Sequence, residues 1–283
     1  MIVRVPASSA NLGPGFDALG MALTVYADII FEPVLADPVL EVGAQLLDEQ
    51  HPATIAFRRA QGKGPLWLRS SIPVGRGMGF SGAVRVGGLV AAHAQLNGTD
   101  PDRLQGALPE LLSLATELEG HADNVAASLY GGVVAAAAGH AVRVPIAFEP
   151  AMVLWVPSFA ISTDDSRRKL PDSVPFADAV YNIGRTALLV AAIAAGDIRA
   201  LRAATEDRIH QDLRLANAQP SRAALTAALA AGAWAAWLSG SGPSMVMSIA
   251  PGDSSKVSSM PAAVGAGACA AGRGWPSSAA RNC

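Results

Sequence analysis

Cysteine is all but missing from this chain: only Cys269 and Cys283 occur, both near the end of its 283 residues. No disulfide framework can be built from them, and they lack the spacing of a zinc site. The five histidines, His51, His93, His121, His140 and His210, are scattered without a ligand pattern, so a structural transition metal is not expected. Charge is sparse as well, at 16% Asp, Glu, Lys and Arg with a formal net charge of -2. With no basic run to follow a phosphate backbone, nucleic acid is not an expected partner. Long apolar runs are also lacking. The stretch at 187–196 is too short to cross a bilayer, and 131–148 is interrupted by His140, Arg143 and Pro145, as two strands and a turn would be. Arg4, Pro6 and Asn11 break up the region where a signal peptide would need its apolar core. A cytoplasmic protein with no membrane partner is expected.

What is present is a large supply of apolar residues, 51% of the chain, enough for one big domain or two closely joined ones. Turn residues and alternation predict strands at 2–6 and 23–31 flanking a Gly/Pro/Asn loop at 8–20. A strand at 66–72 runs into a glycine loop, and Val86, Leu89, Val90 and Ala94 at helical spacing predict a helix over 83–96. Further helices are predicted at 108–118, 178–195, 198–213 with Asp197 as its cap, and 222–231. Strands are predicted at 133–138, 153–157, 235–238 and 244–249. Because strands and helices mix without strict βαβ alternation, the expected fold class is α+β rather than a doubly wound sheet. From Pro251 the chain becomes rich in Ser, Ala, Gly and Pro, and 251–283 is expected to be an irregular tail.

Three segments carry chemistry. The first, PVGRGMGFSGA at 73–83, spaces glycines so that backbone N–H groups can converge, and a helix follows directly. That combination makes an anion cradle, because the helix N-terminus adds partial positive charge. It does not end in the Lys-Ser/Thr of a Walker A loop, nor does it fit the dinucleotide fingerprint; taken alone it reads equally as a tight turn. Arg76 and Arg85 flank it and could reach a phosphate or stay in solvent. The second, ELEGHADN at 117–124, packs three carboxylates, an imidazole and an amide together. It could hold Mg²⁺ and orient a hydroxyl for phosphoryl transfer, or simply end a helix in a solvated turn. The third, LSGSGPS at 238–244, is a strand-to-strand turn whose glycines would also allow close approach to a ligand.

Together and in this order, the segments resemble the GHMP kinases, and the opening PASSANLGPGFDALG at 6–20 resembles that of the homoserine kinases among them. The resemblance continues through Ser162-Thr163 with Arg167 and the stretch EDRIHQ at 206–211, and covers about 2–250. It implies the GHMP kinase fold: an N-terminal, ATP-binding half over 1–148 similar to the second domain of ribosomal S5, and a ferredoxin-like C-terminal half over 149–250. The implied activity is ATP-dependent phosphorylation of L-homoserine to O-phospho-L-homoserine in threonine biosynthesis, with ATP and Mg²⁺ and a possible homodimer.

The resemblance also assigns residues. Asn11, Asp17, His121, Asp123, Thr163, Arg167, Arg208 and Gly240 would bind the substrate, with Asp17 on its amino group. Two arginines would suit its carboxylate, since a guanidinium can bind one bidentately. Pro73, Val74, Gly75, Arg76, Gly77, Met78, Gly79, Phe80, Ser81 and Gly82 would wrap the ATP phosphates, and Ser81 and Glu119 would coordinate Mg²⁺. Asn124, Asp123 and Asp17 would be the catalytic residues. The chain departs from the pattern where Phe80 replaces a serine of the glycine loop, and where 51–60 replaces an Asn-containing adenine-side segment. It departs again after Gly274-Trp275, where a family strand is replaced and a sheet edge would be left unpaired. These departures keep two other readings open: a GHMP kinase for a different small alcohol, and a relative that binds a metabolite without catalysis.

Overall fold

The computed structural model describes residues 1–32, 43–252 and 268–273. Its first sheet is antiparallel and combines β1 (Ile2–Ala10), β2 (Leu19–Phe31), β3 (Gln45–Leu46), β4 (Leu66–Ser70), β5 (Val133–Ala137) and β6 (His140–Val144). The order is β3-β4-β2-β5-β6, with β1 also paired to β2. β1 runs through Ser8 and Ser9 to Ala10, so the predicted loop is shorter than the sequence suggests. Its register against β2 shifts between Pro6 and Ala7, which suits a residue with no N–H to give the ladder.

Among the described residues, four helices belong to this half: α1 (Pro52–Arg59), α2 (Phe80–Asn97), α3 (Pro101–Glu119) and α4 (Asp123–Tyr130). α2 and α4 lie on β1 and β2, and Val84, Val86, Leu89 and Val90 of α2 are buried. Each such side chain contributes about 1.5–3 kcal/mol of transfer free energy. α1 was not anticipated; it begins at Pro52 and is capped by the His51 side chain, which accepts from Ala53 N.

The second sheet, also antiparallel, has the order β10-β7-β9-β8, from β7 (Ala151–Val156), β8 (Ala235–Leu238), β9 (Met245–Ile249) and β10 (Ala268–Arg273). β10 corrects the expectation of an irregular tail: it pairs with all of β7, so that edge is covered. Gly274-Trp275 and the departure that follows lie outside the described residues. The helices here are α5 (Thr163–Arg168), α6 (Phe176–Ala195), α7 (Leu201–Ala204) after a 3₁₀ turn at Ile198–Ala200, α8 (Gln211–Ala216) and α9 (Gln219–Ala230).

The single helix expected over 198–213 is therefore broken. Asp197 does cap its start, accepting from Arg199 N, but Asp207 captures Ile209 N at 3.1 Å, His210 N at 2.9 Å and Gln211 N at 2.6 Å. A carboxylate that takes three backbone donors starts a new helix there. α6 is long and apolar enough to cross a membrane by length and composition. Here it packs on α7 and the 3₁₀ turn, and its buried Asn182 donates to Asp207 at 2.7 Å and to the Pro14 carbonyl at 3.2 Å.

One core runs beneath the first sheet and on to Leu154, Trp237 and Val246 of the second. A smaller one lies between α9 and the second sheet. The turn between β8 and β9 ties the halves together. Gly240 N donates to Ala10 O at 3.2 Å, Ser239 Oγ donates to Gly77 O at 2.6 Å, and Trp237 Nε1 donates to Ser9 Oγ at 3.0 Å.

Candidate active site

A cleft opens where the glycine loop, the loop after β1, the start of α4, α5 and the 239–243 turn meet. Its walls are shaped by backbone that few sequences could adopt. Asn11, Leu12 and Asp17 have φ of 70°, 49° and 57°, values that cost an L-residue energy. The loop is pinned by Asn11 N to Leu19 O at 2.7 Å, and by Asp17 N donating to Asn11 Oδ1 at 3.1 Å. Asn11 Nδ2 in turn donates to Gly240 O at 3.2 Å, so the amide locks the loop to the second half of the molecule.

The glycine loop is equally constrained. Gly77 has φ 70°, and a Cβ there would lie 2.3 Å from Ser239 O. Gly79, φ 64°, opens α2, and its Cβ would lie 2.0 Å from Ser8 Oγ and 2.8 Å from Asn124 Oδ1. Only glycine lets this loop press against both neighbours. Phe80 is the first residue of α2; its ring meets His51 edge-on at 6.4 Å and also lines the cleft.

At one end of the cleft sit the charges. Arg167, in the last turn of α5, donates Nη1 to Asp17 Oδ2 at 2.8 Å and Nη2 to Asp17 Oδ1 at 2.7 Å. The bond to Asp17 raises the Arg167 pKa despite burial. Arg214 of α8 lines the same cleft, donates to Gly240 O at 2.9 Å, and leaves its buried Nε without a partner. Burial, and then the nearby Arg167, push it down to about 10, which leaves it cationic at neutral pH. Both guanidiniums lie 5.4 Å from the ring of Phe16. Along the wall, His121 Nδ1 is 2.8 Å from Asp123 Oδ1. That bond raises the His121 pKa, with burial opposing. Asp123 also accepts from Asn124 N at 2.7 Å, and Asn124 Oδ1 accepts from Ser8 Oγ at 2.9 Å.

Nearer the glycine loop, Ser81 Oγ donates to Glu119 Oε2 at 3.0 Å. Burial raises the Glu119 pKa, with Arg85 and then Ser81 opposing. These two hard oxygens converge as ligands for Mg²⁺ would, an ion that commonly takes one or two protein oxygens and completes its shell with water and substrate phosphate. Among the described residues no group of three or more His, Cys, Asp and Glu side chains gathers as a metal cage, here or elsewhere. The donor chemistry thus fits a metal that arrives with phosphate.

Of the residues assigned from sequence, Asn11, Asp17, His121, Asp123, Asn124, Thr163, Arg167, Gly240, Ser81 and Glu119 all line the cleft, as do Pro73, Val74, Gly75, Gly77, Met78, Gly79 and Phe80. Three do not. Gly82 faces the start of α4, Arg76 reaches away to the Ser158 carbonyl, and Arg208 lies outside the cleft lining. Arg208 is a correction: its guanidinium stacks 3.9 Å from the Tyr181 ring and pairs with Asp178 at 3.4 Å. The break at Asp207 turns Arg208 away, and α8 brings Arg214 in its place. Its place three residues past EDRIHQ was the available signal, hidden because a continuous helix was expected. Ala10 is a further lining residue not foreseen, and Ser241 lines the cleft as part of the late glycine turn.

Comparison with known proteins agrees with this architecture. The family described as GHMP kinases N terminal domain matches 44–132, and GHMP kinases C terminal matches 189–260. The homoserine kinase of Carboxydothermus hydrogenoformans is 40% identical over 260 residues, 86% of this chain and 83% of that protein. The homoserine kinase of Streptomyces coelicolor is 43% identical over 269 residues, 89% and 84% of the two chains. The crystal structure of homoserine kinase from Cytophaga hutchinsonii superposes with a TM-score of 0.75 at 25% identity, covering 93% of this chain and 89% of that one. Methanococcus jannaschii mevalonate kinase shares the fold at 11% identity, TM-score 0.68, over 96% and 97%. Fold and cleft together define a GHMP kinase, an ATP-using enzyme that phosphorylates an alcohol group. Within that class the chain belongs to the homoserine kinase family.

Proposed function

We propose that this chain transfers the γ-phosphate of ATP to the side-chain hydroxyl of L-homoserine, forming O-phospho-L-homoserine for threonine biosynthesis. One observation carries the substrate: Asp17 faces two guanidiniums, Arg167 and Arg214, at one end of a cleft whose other end is a glycine loop. A carboxylate beside two cations matches the ammonium and carboxylate of an α-amino acid, and Arg214 Nε has no partner until such a carboxylate binds. Asn11, His121, Asp123, Thr163 and Gly240 complete that pocket.

The loop from Gly75 to Ser81 and the N-terminus of α2 offer backbone N–H groups to the phosphates. Ser81 and Glu119 would hold Mg²⁺, which neutralises phosphate charge when bound. The bond from the substrate oxygen to the γ-phosphorus forms as the bridging bond to ADP breaks, and the hydroxyl proton leaves toward Asp123 or Asp17. Asn124, fixed by Ser8, sits beside the transferring group. Holding the partners in line supplies most of the acceleration in such reactions. We also infer a division near residue 148 between an ATP-binding half and a C-terminal half, a cytoplasmic setting without nucleic-acid or membrane partners, and a homodimer. Exposed Phe176, Val180 and Ile183 on one face of α6 favour self-association.

Release of ADP with Mg·ATP is measured with L-homoserine, D-homoserine, L-serine, L-threonine or no acceptor. Turnover on L-homoserine above all others is expected. Turnover on another alcohol but not on L-homoserine, or none from folded protein, refutes the assignment.

A further inference from the structure

The Ser81–Glu119 pair already holds a cation. Arg85 lies one helical turn beyond Ser81 on α2, which puts the two side chains on one face. Its Nη1 donates to Ser81 Oγ and, at 2.6 Å, to Glu119 Oε2. The pair is well sheltered, with side-chain exposures of 20% for Arg85 and 10% for Glu119. One guanidinium nitrogen thus bridges the same two oxygens that would ligate a metal. A divalent ion bound to both oxygens competes with the guanidinium: Nη1 takes a lone pair on each, and two cations at that range repel.

We infer that Arg85 is a resident counter-ion that keeps free divalent cations off Ser81 and Glu119 in the nucleotide-free enzyme. The metal then enters only together with the triphosphate, whose negative charge competes with Glu119 for the guanidinium. This deepens the reading of Ser81 and Glu119 as metal ligands and rests on it. The physical need is plain: without Arg85, the buried Glu119 carboxylate would keep the Ser81 hydroxyl as its hydrogen-bond donor, and a buried charge that loses its paired cation is costly. Arg85 removes that cost while the substrate is away.

The test uses Mn²⁺ as the probe, with free ion followed by electron paramagnetic resonance on the full chain. Without nucleotide, Arg85→Gln binds Mn²⁺ at least about tenfold more tightly than wild type, Arg85→Lys behaves as wild type, and adding Glu119→Gln to Arg85→Gln abolishes the gain. Equal affinities of wild type and Arg85→Gln overturn the inference. So does wild-type binding without nucleotide that is as tight as binding with a non-hydrolysable ATP analogue, a measurement that needs no variant to fold. If Glu119→Gln leaves Mn²⁺ binding with the analogue unchanged, the ligand reading fails and the inference with it. If Glu119→Gln abolishes that binding while Arg85→Gln gains nothing, only the inference falls.

Discussion

Replacing Arg214 by Gln is the sharpest test of how this cleft reads an amino acid. Arg214 is 8% exposed; its Nη1 donates to the Gly240 carbonyl at 2.9 Å and lies 3.3 Å from His210 Nδ1, which leaves Nε and Nη2 for a substrate carboxylate. A hydrogen bond to a charged group contributes about 1.5–3 kcal/mol, which corresponds to a loss of roughly 10- to 150-fold in kcat/KM for L-homoserine. The KM for ATP stays unchanged, because Arg214 lies at the amino-acid end. Arg214→Lys keeps the charge but not the planar fork and recovers only part of the loss. Arg208→Gln is the matched control: half exposed, with a 3.4 Å contact to Asp178 and a Tyr181 ring beneath it, it changes kcat/KM by less than about twofold. Steady-state ADP release at varied homoserine, with thermal melts to confirm folding, decides between them. A large loss in Arg208→Gln with none in Arg214→Gln would refute the placement of the second arginine.

Gly79→Ala is expected to destabilise the protein by more than about 3 kcal/mol, since a positive φ costs about 1–2 kcal/mol and the new Cβ meets Ser8 and Asn124; urea denaturation measures it, and an unchanged midpoint contradicts the close approach. Asp207→Ala removes the start of α8 and a buried bond to Asn182, at a cost of about 2–4 kcal/mol. Because α8 carries Arg214, its KM for homoserine also rises, and a stable variant with normal KM would contradict this. Asp28 of β2 is buried between Arg4 of β1 and Arg69 of β4, at 2.8 and 2.7 Å. Burial raises its pKa, but the hydrogen bonds and charges of the two arginines outweigh it and hold the group below its ordinary 3.8. A lowered folded pKa contributes stability above the unfolded value that is lost as pH falls through the folded one. Stability from this pair is therefore complete above about pH 4 and fades below it. Asp28→Asn loses about 1–3 kcal/mol at neutral pH, discounted because both arginines are partly exposed, and flattens the acid limb of the stability curve; parallel limbs in the two proteins would contradict it.

Motifs whose chemistry is local were legible in the chain. The opening 6–20 segment and the glycine loop need particular residues because their backbones turn where only glycine or asparagine turns cheaply. Apolar spacing in α2 and α6 likewise announced helices. Element ends were less legible, as at β1, because pairing with β2 carries the strand beyond its apolar run to Ala10.

By itself, then, the sequence determined the α+β class and the order of the motifs, since each depends on local backbone and side-chain type, and its resemblance to the GHMP kinases named most residues that line the cleft. The tertiary structure decided which arginine joins Arg167, because a buried carboxylate at Asp207 breaks a helix that periodicity draws as continuous. It also decided that Ala268–Arg273 is a strand, because a partner in β7 can recruit a segment with little strand propensity of its own. And it decided the place of Arg85, whose partner Glu119 lies 34 residues further along the chain: spacing along a sequence does not report which distant carboxylate a guanidinium will meet.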